Sequence, residues 1–167
     1  TAMRVLLEMF SDRGHPTDPE LFASEMGLDE FKRVVYELWD NVTGFVFDIP
    51  PYKKAGLPVK VCFCRQESLG QKDFREILDK IGLQEEQRLC VVVANAPKPS
   101  VYRHVAPTME LFTLGQLCCN ITRHELVPNH RLMTKRELHA VLKSLRLPGT
   151  SAFNKMLVTD PIAKYYG

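Results

Sequence analysis

The segment NITRHELVPNH at residues 120–130 holds two histidines, a glutamate and an arginine, side chains that can ligate metals or transfer protons. A zinc site needs a third and a fourth ligand, and Pro128 interrupts the chain between His124 and His130. His124 and Glu125 could form an acid–base pair, but no nucleophile or third orienting group lies within sequence reach. These residues alone therefore favour histidines that hydrogen-bond to the backbone or to a partner, and a protein-binding surface stays open.

A second candidate site lies in the first half of the chain. Metal-dependent nucleases of the restriction-endonuclease-like class carry an acidic residue on one strand and (D/E)-x-K on the next, where carboxylates hold Mg²⁺ and the lysine stabilises developing negative charge. Asp48 ends one predicted strand and Lys60 lies on the next, but Pro58 occupies the place of the second carboxylate. The metal would have too few protein oxygens, so the pattern favours a surface lysine over a nuclease.

A basic loop tip, APKPSVYRH at residues 96–104, follows a predicted buried strand. Its Lys98, Ser100, Arg103 and His104 could contact a phosphate backbone, although most basic tips face water. The nucleotide-binding patterns GxxxxGK(S/T) and GxGxxG do not occur in the sequence. An aromatic-rich strand pattern for stacking RNA bases does not occur either.

Composition predicts a globular protein of one large or two small domains, since 45% of the 167 residues are hydrophobic and 25% are charged. No apolar run approaches the roughly 20 residues that span a bilayer, and the N-terminus has no secretory pattern. Charge is uneven: residues 1–103 hold 14 Lys and Arg against 16 Asp and Glu, and residues 104–167 hold 8 against 4. The basic C-terminal part could face nucleic acid or an acidic protein, and a solvated face is the simpler interpretation.

The five cysteines are an odd number without a CxxC pair, which argues against disulfides and zinc. The runs VKVCFC and RLCVVV place three of them in apolar strands, where cysteine behaves as a small hydrophobic residue. The sequence therefore predicts buried free thiols in a reducing, intracellular compartment, at Cys62, Cys64, Cys90, Cys118 and Cys119.

Hydrophobic periodicity predicts α/β structure for the first part of the chain. The predicted helices cover residues 3–13, 17–27 and 71–81, and the predicted strands cover residues 32–39, 44–49, 58–64 and 88–94. Strand, helix and strand follow one another between residues 59 and 94, which predicts a right-handed crossover joining parallel strands.

A boundary near Pro107 divides the chain into predicted domains of residues 1–106 and 107–167. A helical turn over residues 101–105 precedes it, and strands are predicted over residues 109–114, 117–122 and 131–133. Thr134 and Glu137 form a capping box that begins a helix through Leu145. Asp160 and the proline after it begin a last short helix.

Residues 120–145, NITRHELVPNHRLMTKRELHAVLKSL, closely resemble the N-I-T-x-H-E-L-V-P-x-H motif of the fifth-largest shared subunit of eukaryotic nuclear RNA polymerases, whose C-terminal part corresponds to a small archaeal RNA polymerase subunit. Residues 160–167, DPIAKYYG, resemble the D-P-V-A-R-Y-hydrophobic-G motif of that family. Upstream, MRVLLEMFSDRGHPTDPEL, VKVCFCRQ and CVVVANAPKPS resemble its jaw domain in order and rough spacing. The resemblance covers essentially the whole chain, and the two C-terminal motifs are its specific part.

This resemblance implies an α/β protein, α+β overall, with a restriction-endonuclease-like N-terminal jaw domain without an active site and a small mixed α/β C-terminal assembly domain. It implies a non-catalytic, nuclear subunit without cofactor or metal, nucleolar if it is a polymerase I form. The implied partners are the largest polymerase subunit, other polymerase subunits and downstream duplex DNA, which it would bind weakly and without sequence preference. No membrane partner is implied.

The same resemblance assigns residues to two surfaces. The expected interface with the largest subunit consists of His124, Glu125, Leu126, Val127, Pro128, His130, Asp160, Pro161, Lys164 and Tyr165. The expected DNA-proximal residues are Lys98, Pro99, Ser100 and Arg103.

Two departures from the family pattern stand beside these expectations. Residues 153–156, FNKM, replace the family's L-P-R-I, and the sequence ends at Gly167, before the family's closing strands. We therefore expect an assembly domain without its last strands, in a polymerase-specific or lineage-specific version of the subunit. Two alternatives are a nuclease with an unusual Mg²⁺ site at Asp48 and Lys60, and a transcription-associated adaptor outside any polymerase.

Overall fold

The computed structural model describes residues 1–17, 27–51, 57–83, 87–124, 127, 130–131, 133–146 and 160–166. Its strands are β1 Trp39–Asp40, β2 Gly44–Ile49, β3 Val59–Phe63, β4 Arg88–Val93 and β5 Met109–Thr113. Its α-helices are α1 Ala2–Asp12, α2 Leu28–Glu37, α3 Gln71–Ile81, α4 Lys135–Ser144 and α5 Pro161–Tyr166. The fold is mixed α/β, as predicted. None of the described helices is long and apolar enough to cross a membrane.

The five strands form one mixed sheet in the order in which they follow along the chain. β1, β2 and β3 are antiparallel neighbours, whereas β3 pairs in parallel with β4 and β4 with β5. The helix α3 joins β3 to β4, so the predicted connection between parallel strands is confirmed. Every residue of β4 after Arg88 is buried, as the apolar run LCVVV predicts for a strand covered on both faces.

Alternation along the strands divides the core between the two faces of the sheet. One face packs against α3, with Phe74 and Ile77 among the buried residues of that cluster. The sheet contributes Cys62, Leu89, Val91, Val93 and Leu111 to the same cluster. The other face carries Val61, Cys90, Val92 and Phe112, which are also buried.

The helix α1 is tied to this second face by charged side chains. Glu110 on β5 accepts hydrogen bonds from Arg13, at 2.8 Å and 3.0 Å, and from Arg88 on β4. The Arg13 guanidinium also lies 5.3 Å from the centre of the Phe10 ring. Because the Arg13 side chain is only 6% exposed, this carboxylate supplies the charge partner that a buried guanidinium requires.

The turn between β1 and β2 depends on Asp40 and Gly44. One carboxylate oxygen of Asp40 accepts from the backbone N–H groups of Val42 and Thr43, and the other accepts from Lys80 of α3 at 2.6 Å. The hydrogen bond from Lys80, followed by those from the backbone, holds the pKa of Asp40 well below its usual range. Gly44 has φ +79°, and a Cβ there would lie 2.1 Å from the carbonyl oxygen of Phe63.

The prediction of a strand over residues 32–39 is wrong, because residues 28–37 form α2. The β-branched pair Val34–Val35 and the aromatic residues nearby favour a strand locally. Phe31, Val34 and Val35 nevertheless repeat at helical spacing, and they are the half-buried side of α2. The short helix predicted before it lies mostly outside the described residues.

Buried thiols are confirmed for Cys62, Cys64 and Cys90, whereas Cys118 and Cys119 are exposed; all five are free. The Cys62 thiol donates to the Thr43 carbonyl at 3.1 Å and lies 3.8 Å from Cys64 Sγ. Contact with the Cys64 thiol, together with burial, raises the pKa of Cys62. Cys62 therefore stays a neutral core thiol.

The chain divides into two compact units, Thr1–Cys119 and Asn120–Gly167. The predicted boundary at Pro107 differs from this division, because β5 pairs with β4 and so belongs to the sheet of the first unit. Residues 117–122 were predicted as a strand, and this prediction is wrong. The 3₁₀ turn Leu114–Leu117 ends at the first of these residues, and a second 3₁₀ turn, Ile121–Arg123, includes the last two. Arg131 and Met133 are not in a strand, and Leu132 lies outside the described residues.

Candidate partner-binding site

The 3₁₀ turn Ile121–Arg123 begins the first C-terminal motif, and Asn120 caps it. The side-chain oxygen of Asn120 accepts from the backbone N–H of Thr122 at 3.0 Å and from its hydroxyl at 2.6 Å. The side-chain amide of Asn120 donates to the Tyr165 hydroxyl at 3.0 Å. One asparagine thus fixes this turn and joins it to α5.

The second motif forms α5 because Asp160 satisfies its first backbone donors. The Asp160 carboxylate accepts from the N–H groups of Ile162 and Ala163, each at 2.9 Å. Pro161 occupies the first helical position, where it removes a donor that would lack a partner. Tyr165 is only 4% exposed. Asp160 and Tyr165, expected as contacts to a partner, therefore also hold this unit together internally.

His130 and Tyr166 form a second link between the two motifs. The Tyr166 hydroxyl lies 3.3 Å from His130 Nε2, and the two rings meet edge to face with centroids 5.6 Å apart. His130 is exposed, and Tyr166 is half-buried. The hydrogen bond orients an imidazole at the surface of this unit.

The residues of the expected interface differ in how much surface they present. His124, His130 and Pro161 are exposed, whereas Val127, Asp160 and Lys164 are half-buried. The carbonyl of His124 accepts from the N–H of Val127 at 2.9 Å. Glu125, Leu126 and Pro128 lie outside the described residues. Within the described ranges, no three His, Cys, Asp or Glu side chains are grouped to hold a metal ion.

Arg131 and Glu137 continue this surface at the beginning of α4. Both terminal guanidinium nitrogens of Arg131 donate to the Glu137 carboxylate, at 3.0 Å and 2.5 Å. Glu137 also accepts from the Thr134 N–H at 2.8 Å, and its own N–H donates to the Thr134 hydroxyl, so the predicted capping box is confirmed. The hydrogen bonds from Arg131, followed by those from Thr134, lower the pKa of Glu137 to about 2.

Three parts of this site were not predicted from the sequence: Asn120, Tyr166 and the Arg131–Glu137 pair. The capping role of Asn120 could have been predicted, because an asparagine before a helical turn is a common cap. The contacts of Tyr166 and Arg131 depend on how the segments pack, and no local pattern indicates them.

The basic tip that is expected to lie near DNA belongs to the N-terminal unit and follows β4. The Lys98 N–H donates to the Leu69 carbonyl at 3.1 Å, and the Val101 N–H donates to the Lys98 carbonyl at 2.9 Å. Lys98, Pro99 and Arg103 are exposed, and Ser100 is half-buried. Buried Val101 anchors the tip, so its charged side chains project from fixed backbone.

The alternative nuclease residues Asp48 and Lys60 face each other across β2 and β3. The Lys60 ammonium lies 2.9 Å from the Asp48 carboxylate, which is 62% exposed. Each charge neutralises the other, and Pro58 supplies no oxygen ligand from its side chain. This pair has the geometry of a cross-strand ion pair rather than of a metal site.

A cavity of about 290 Å³ between α1, α2 and the sheet contains few reactive groups. Its walls include Phe31, Val35, Trp39, Phe45 and Phe63. The titratable side chain among the lining residues is that of Cys64. The described residues that line this cavity therefore include no acid–base pair for catalysis.

Residues 119–167 match the model of the family described as RNA polymerase Rpb5, C-terminal domain. These residues are similar to that domain. The match begins one residue before the second compact unit, Asn120–Gly167, and ends with it. Both motifs that resemble the shared polymerase subunit lie within the matched residues.

Relatives extend the similarity beyond the Rpb5 C-terminal domain. The DNA-directed RNA polymerases I, II, and III subunit RPABC1 of Caenorhabditis briggsae and that of Caenorhabditis elegans are each 32% identical to the chain over 112 residues, which are 64% of this chain and 53% of the relative. The corresponding subunit of Dictyostelium discoideum is 28% identical over 116 residues, 65% of this chain and 58% of the relative. The chain thus spans about half the length of these relatives.

Proposed function

We propose that this chain is a non-catalytic subunit of a nuclear DNA-dependent RNA polymerase. Its C-terminal unit would anchor to the largest subunit, and its N-terminal unit would form the lower jaw beside downstream DNA. The observation that carries the proposal is the family match over residues 119–167. The relatives' names, which designate subunits of RNA polymerases I, II and III, support the same assignment.

The proposed anchoring surface consists of exposed and half-buried residues that the two C-terminal motifs bring together. His130 and Tyr166 are in contact, and Asn120 joins the first motif to α5. A surface that combines oriented imidazole and phenol groups suits a protein interface, in which fixed polar groups set the register of the partner. Its other expected members, Glu125, Leu126 and Pro128, come from the same segment of sequence.

Affinity purification from cells at moderate salt tests this proposal. We expect the tagged chain to recover the largest subunit of an RNA polymerase in stoichiometric amount, identified by mass spectrometry. The largest subunit recovered would also show whether the chain serves polymerase I, II or III, or is shared. Recovery of the chain only as a free monomer, or in a complex without a polymerase subunit, would contradict the proposal.

A variant with His124, Glu125 and Pro128 all replaced by Ala should recover less of the largest subunit and leave the N-terminal unit folded. The matched control replaces Lys72, Arg75 and Glu76, three exposed residues of α3, by Ala and should recover the wild-type amount. Equal recovery with both variants would place the anchoring surface elsewhere.

A further inference from the structure

Helix α4 carries its positive charges on one side. Lys135, Arg136, His139 and Lys143 are all exposed, and we call these four residues the basic stripe. At about 100° of rotation per residue, they fall within an arc of about 100° around the helix axis. Leu138 and Leu142, which are half-buried and buried, define the inward side.

Opposing charges are scarce in this unit. Residues 120–167 contain eight Lys and Arg against three Asp and Glu. Glu137 is held by Arg131 and Thr134, and Asp160 caps α5. Among the described residues, no ion pair joins the basic stripe to a carboxylate.

Two cations of the stripe lie where they oppose helix formation. Lys135 and Arg136 are the first two residues of α4, at the positive end of the helix dipole, where anions are stabilising and cations are not. When residues are locally unfavourable for a helix and no contact offsets that cost, they indicate a function other than stabilising the fold. An anion bound across the stripe would reverse this unfavourable interaction.

The surroundings of the stripe favour nucleic acid over a protein partner. Within α4, the exposed residues beside it are the small Ala140 and Ser144, whereas protein interfaces concentrate aromatic and large apolar side chains and are poor in lysine. Exposed Met133 precedes the helix. Exposed Leu145 projects from the side of the helix that carries Leu138, away from the cations. The stripe holds no Phe, Tyr or Trp, and His139 is its one aromatic ring, whereas single-stranded nucleic acids stack successive bases on several rings.

We propose that the basic stripe of α4 binds the phosphate backbone of duplex DNA without sequence preference. The eight-residue separation of Lys135 and Lys143 corresponds to about 12 Å along the helix, which is the rise of three to four nucleotides of one strand along the duplex axis at about 3.4 Å each. This proposal rests on α4 alone and does not require assembly into a polymerase. It adds a contact in the C-terminal unit to the expected contact of the tip at Lys98.

Titration of a fluorescently labelled 20-base-pair duplex with the full chain, over a series of salt concentrations, tests the proposal. The stripe variant carries Lys135→Gln, Arg136→Gln and Lys143→Gln. The control variant carries Arg33→Gln, Lys72→Gln and Arg75→Gln, which remove the same charge from exposed sites on α2 and α3. Gln has a helix propensity close to those of Lys and Arg, so both variants should keep their helices.

We expect the stripe variant to lose at least about tenfold in affinity at low salt and to reduce the slope of log affinity against log salt by about 2–3. The control variant should stay within about twofold of the wild type. Equal weakening by both variants, or an unchanged slope for the stripe variant, overturns the proposal. So does tighter binding of a single-stranded RNA of the same length, or of a polyglutamate peptide, by the unmodified chain.

A second measurement on the wild-type chain needs no substitution. Duplex DNA should protect Lys135 and Lys143 from acetylation, read by mass spectrometry, and should leave Lys32 and Lys72 as reactive as before. Unprotected stripe lysines at a DNA concentration that saturates the chain would also overturn the proposal. Both readouts are independent of whether the chain recovers a polymerase subunit from cells.

Discussion

The side-chain amide of Asn120 donates a hydrogen bond to the hydroxyl of Tyr165 at 3.0 Å, across 45 positions of sequence. This bond joins the first residue of the C-terminal unit to its last described helix. It places the two motifs in contact, and the edge-to-face contact of His130 with Tyr166 lies beside it. The motifs therefore form one surface in three dimensions, although residues 131–159 separate them in the sequence.

Replacing Tyr165 by Phe should destabilise the C-terminal unit by about 0.5–1.5 kcal/mol, because the Asn120 amide loses its acceptor in a largely buried position. Hydrogen exchange followed residue by residue should show faster exchange in Ile121–Arg123 and α5, with β3 and β4 unchanged. Tyr36→Phe is the matched control, since Tyr36 is 78% exposed on α2. It should change neither the stability of the C-terminal unit nor its hydrogen exchange. Unchanged exchange in α5 would show that this hydrogen bond does not hold the two motifs together.

Gly44→Ala should destabilise the N-terminal unit by at least about 1–3 kcal/mol, because a side chain there meets a positive φ and a carbonyl oxygen at once. Denaturation with urea measures the change. Gly27→Ala is its control: no atom lies within 4 Å of a Cβ at that position, and φ is −58°. The control should stay within about 0.5 kcal/mol of the wild type. A comparable loss in both variants would mean that the turn does not require glycine.

Local sequence patterns predicted most of the helices and strands, because their signals were strong and consistent. The helix predicted over residues 71–81 agrees with α3 at both ends, where Gly70 precedes it and Gly82 adopts the left-handed conformation that ends it. β4 followed from an uninterrupted apolar run. The helix α2 was not predicted, because Val34–Val35 has strand propensity and the burial of Phe31 depends on tertiary packing.

The candidate site was only partly predictable. Its segments were identified from motifs. Tyr165, however, is buried and holds the unit together internally, and a motif does not encode burial. Glu125, Leu126 and Pro128 remain predictions, as do the roles of His124 and Lys164 at an interface. The boundary near Pro107 was placed from a loop signal, whereas pairing of β5 with β4 is a long-range contact.

The chain should not cleave duplex DNA in the presence of Mg²⁺, because Lys60 is paired with Asp48 and Pro58 replaces a required carboxylate. A cleavage assay with purified chain and Lys60→Ala as the comparison measures this. Metal-dependent cleavage by the wild type that disappears in Lys60→Ala would establish the nuclease alternative. Because Asp48 is well exposed, loss of the ion pair in Lys60→Ala should by itself change the unfolding free energy by no more than about 1 kcal/mol.

Within an assembled polymerase, replacing Lys98 and Arg103 by Ala should weaken binding of downstream DNA modestly and equally for all sequences. No base-reading cluster accompanies these residues in the described tip, and neutralising one or two phosphates changes the slope of log affinity against log salt by about 1–2. Salt-dependent dissociation of elongation complexes on two unrelated templates measures the effect. A loss confined to one template would contradict a backbone contact.

Glu137 should make the stability of the C-terminal unit depend on pH. Its folded pKa of about 2 lies below its ordinary value of 4.5, so the carboxylate stabilises the folded state fully above pH 4.5, and this contribution disappears as the pH falls toward 2. Thermal unfolding of wild type and Glu137→Gln between pH 7 and pH 2 measures it. The wild type should unfold at a higher temperature than Glu137→Gln at pH 7, and this difference in unfolding temperature should narrow below pH 4.5.

Arg131→Gln separates the two causes of that pKa shift. Without the guanidinium, Glu137 keeps only its hydrogen bonds to Thr134, so its pKa should rise toward 4.5 and the pH-dependent difference should shrink. Asp40 also has a depressed pKa, but it lies in the N-terminal unit and is present in all three proteins, so its titration cancels in the comparison. A difference between wild type and Glu137→Gln that stays constant down to pH 2 would mean that the charge on Glu137 does not stabilise α4.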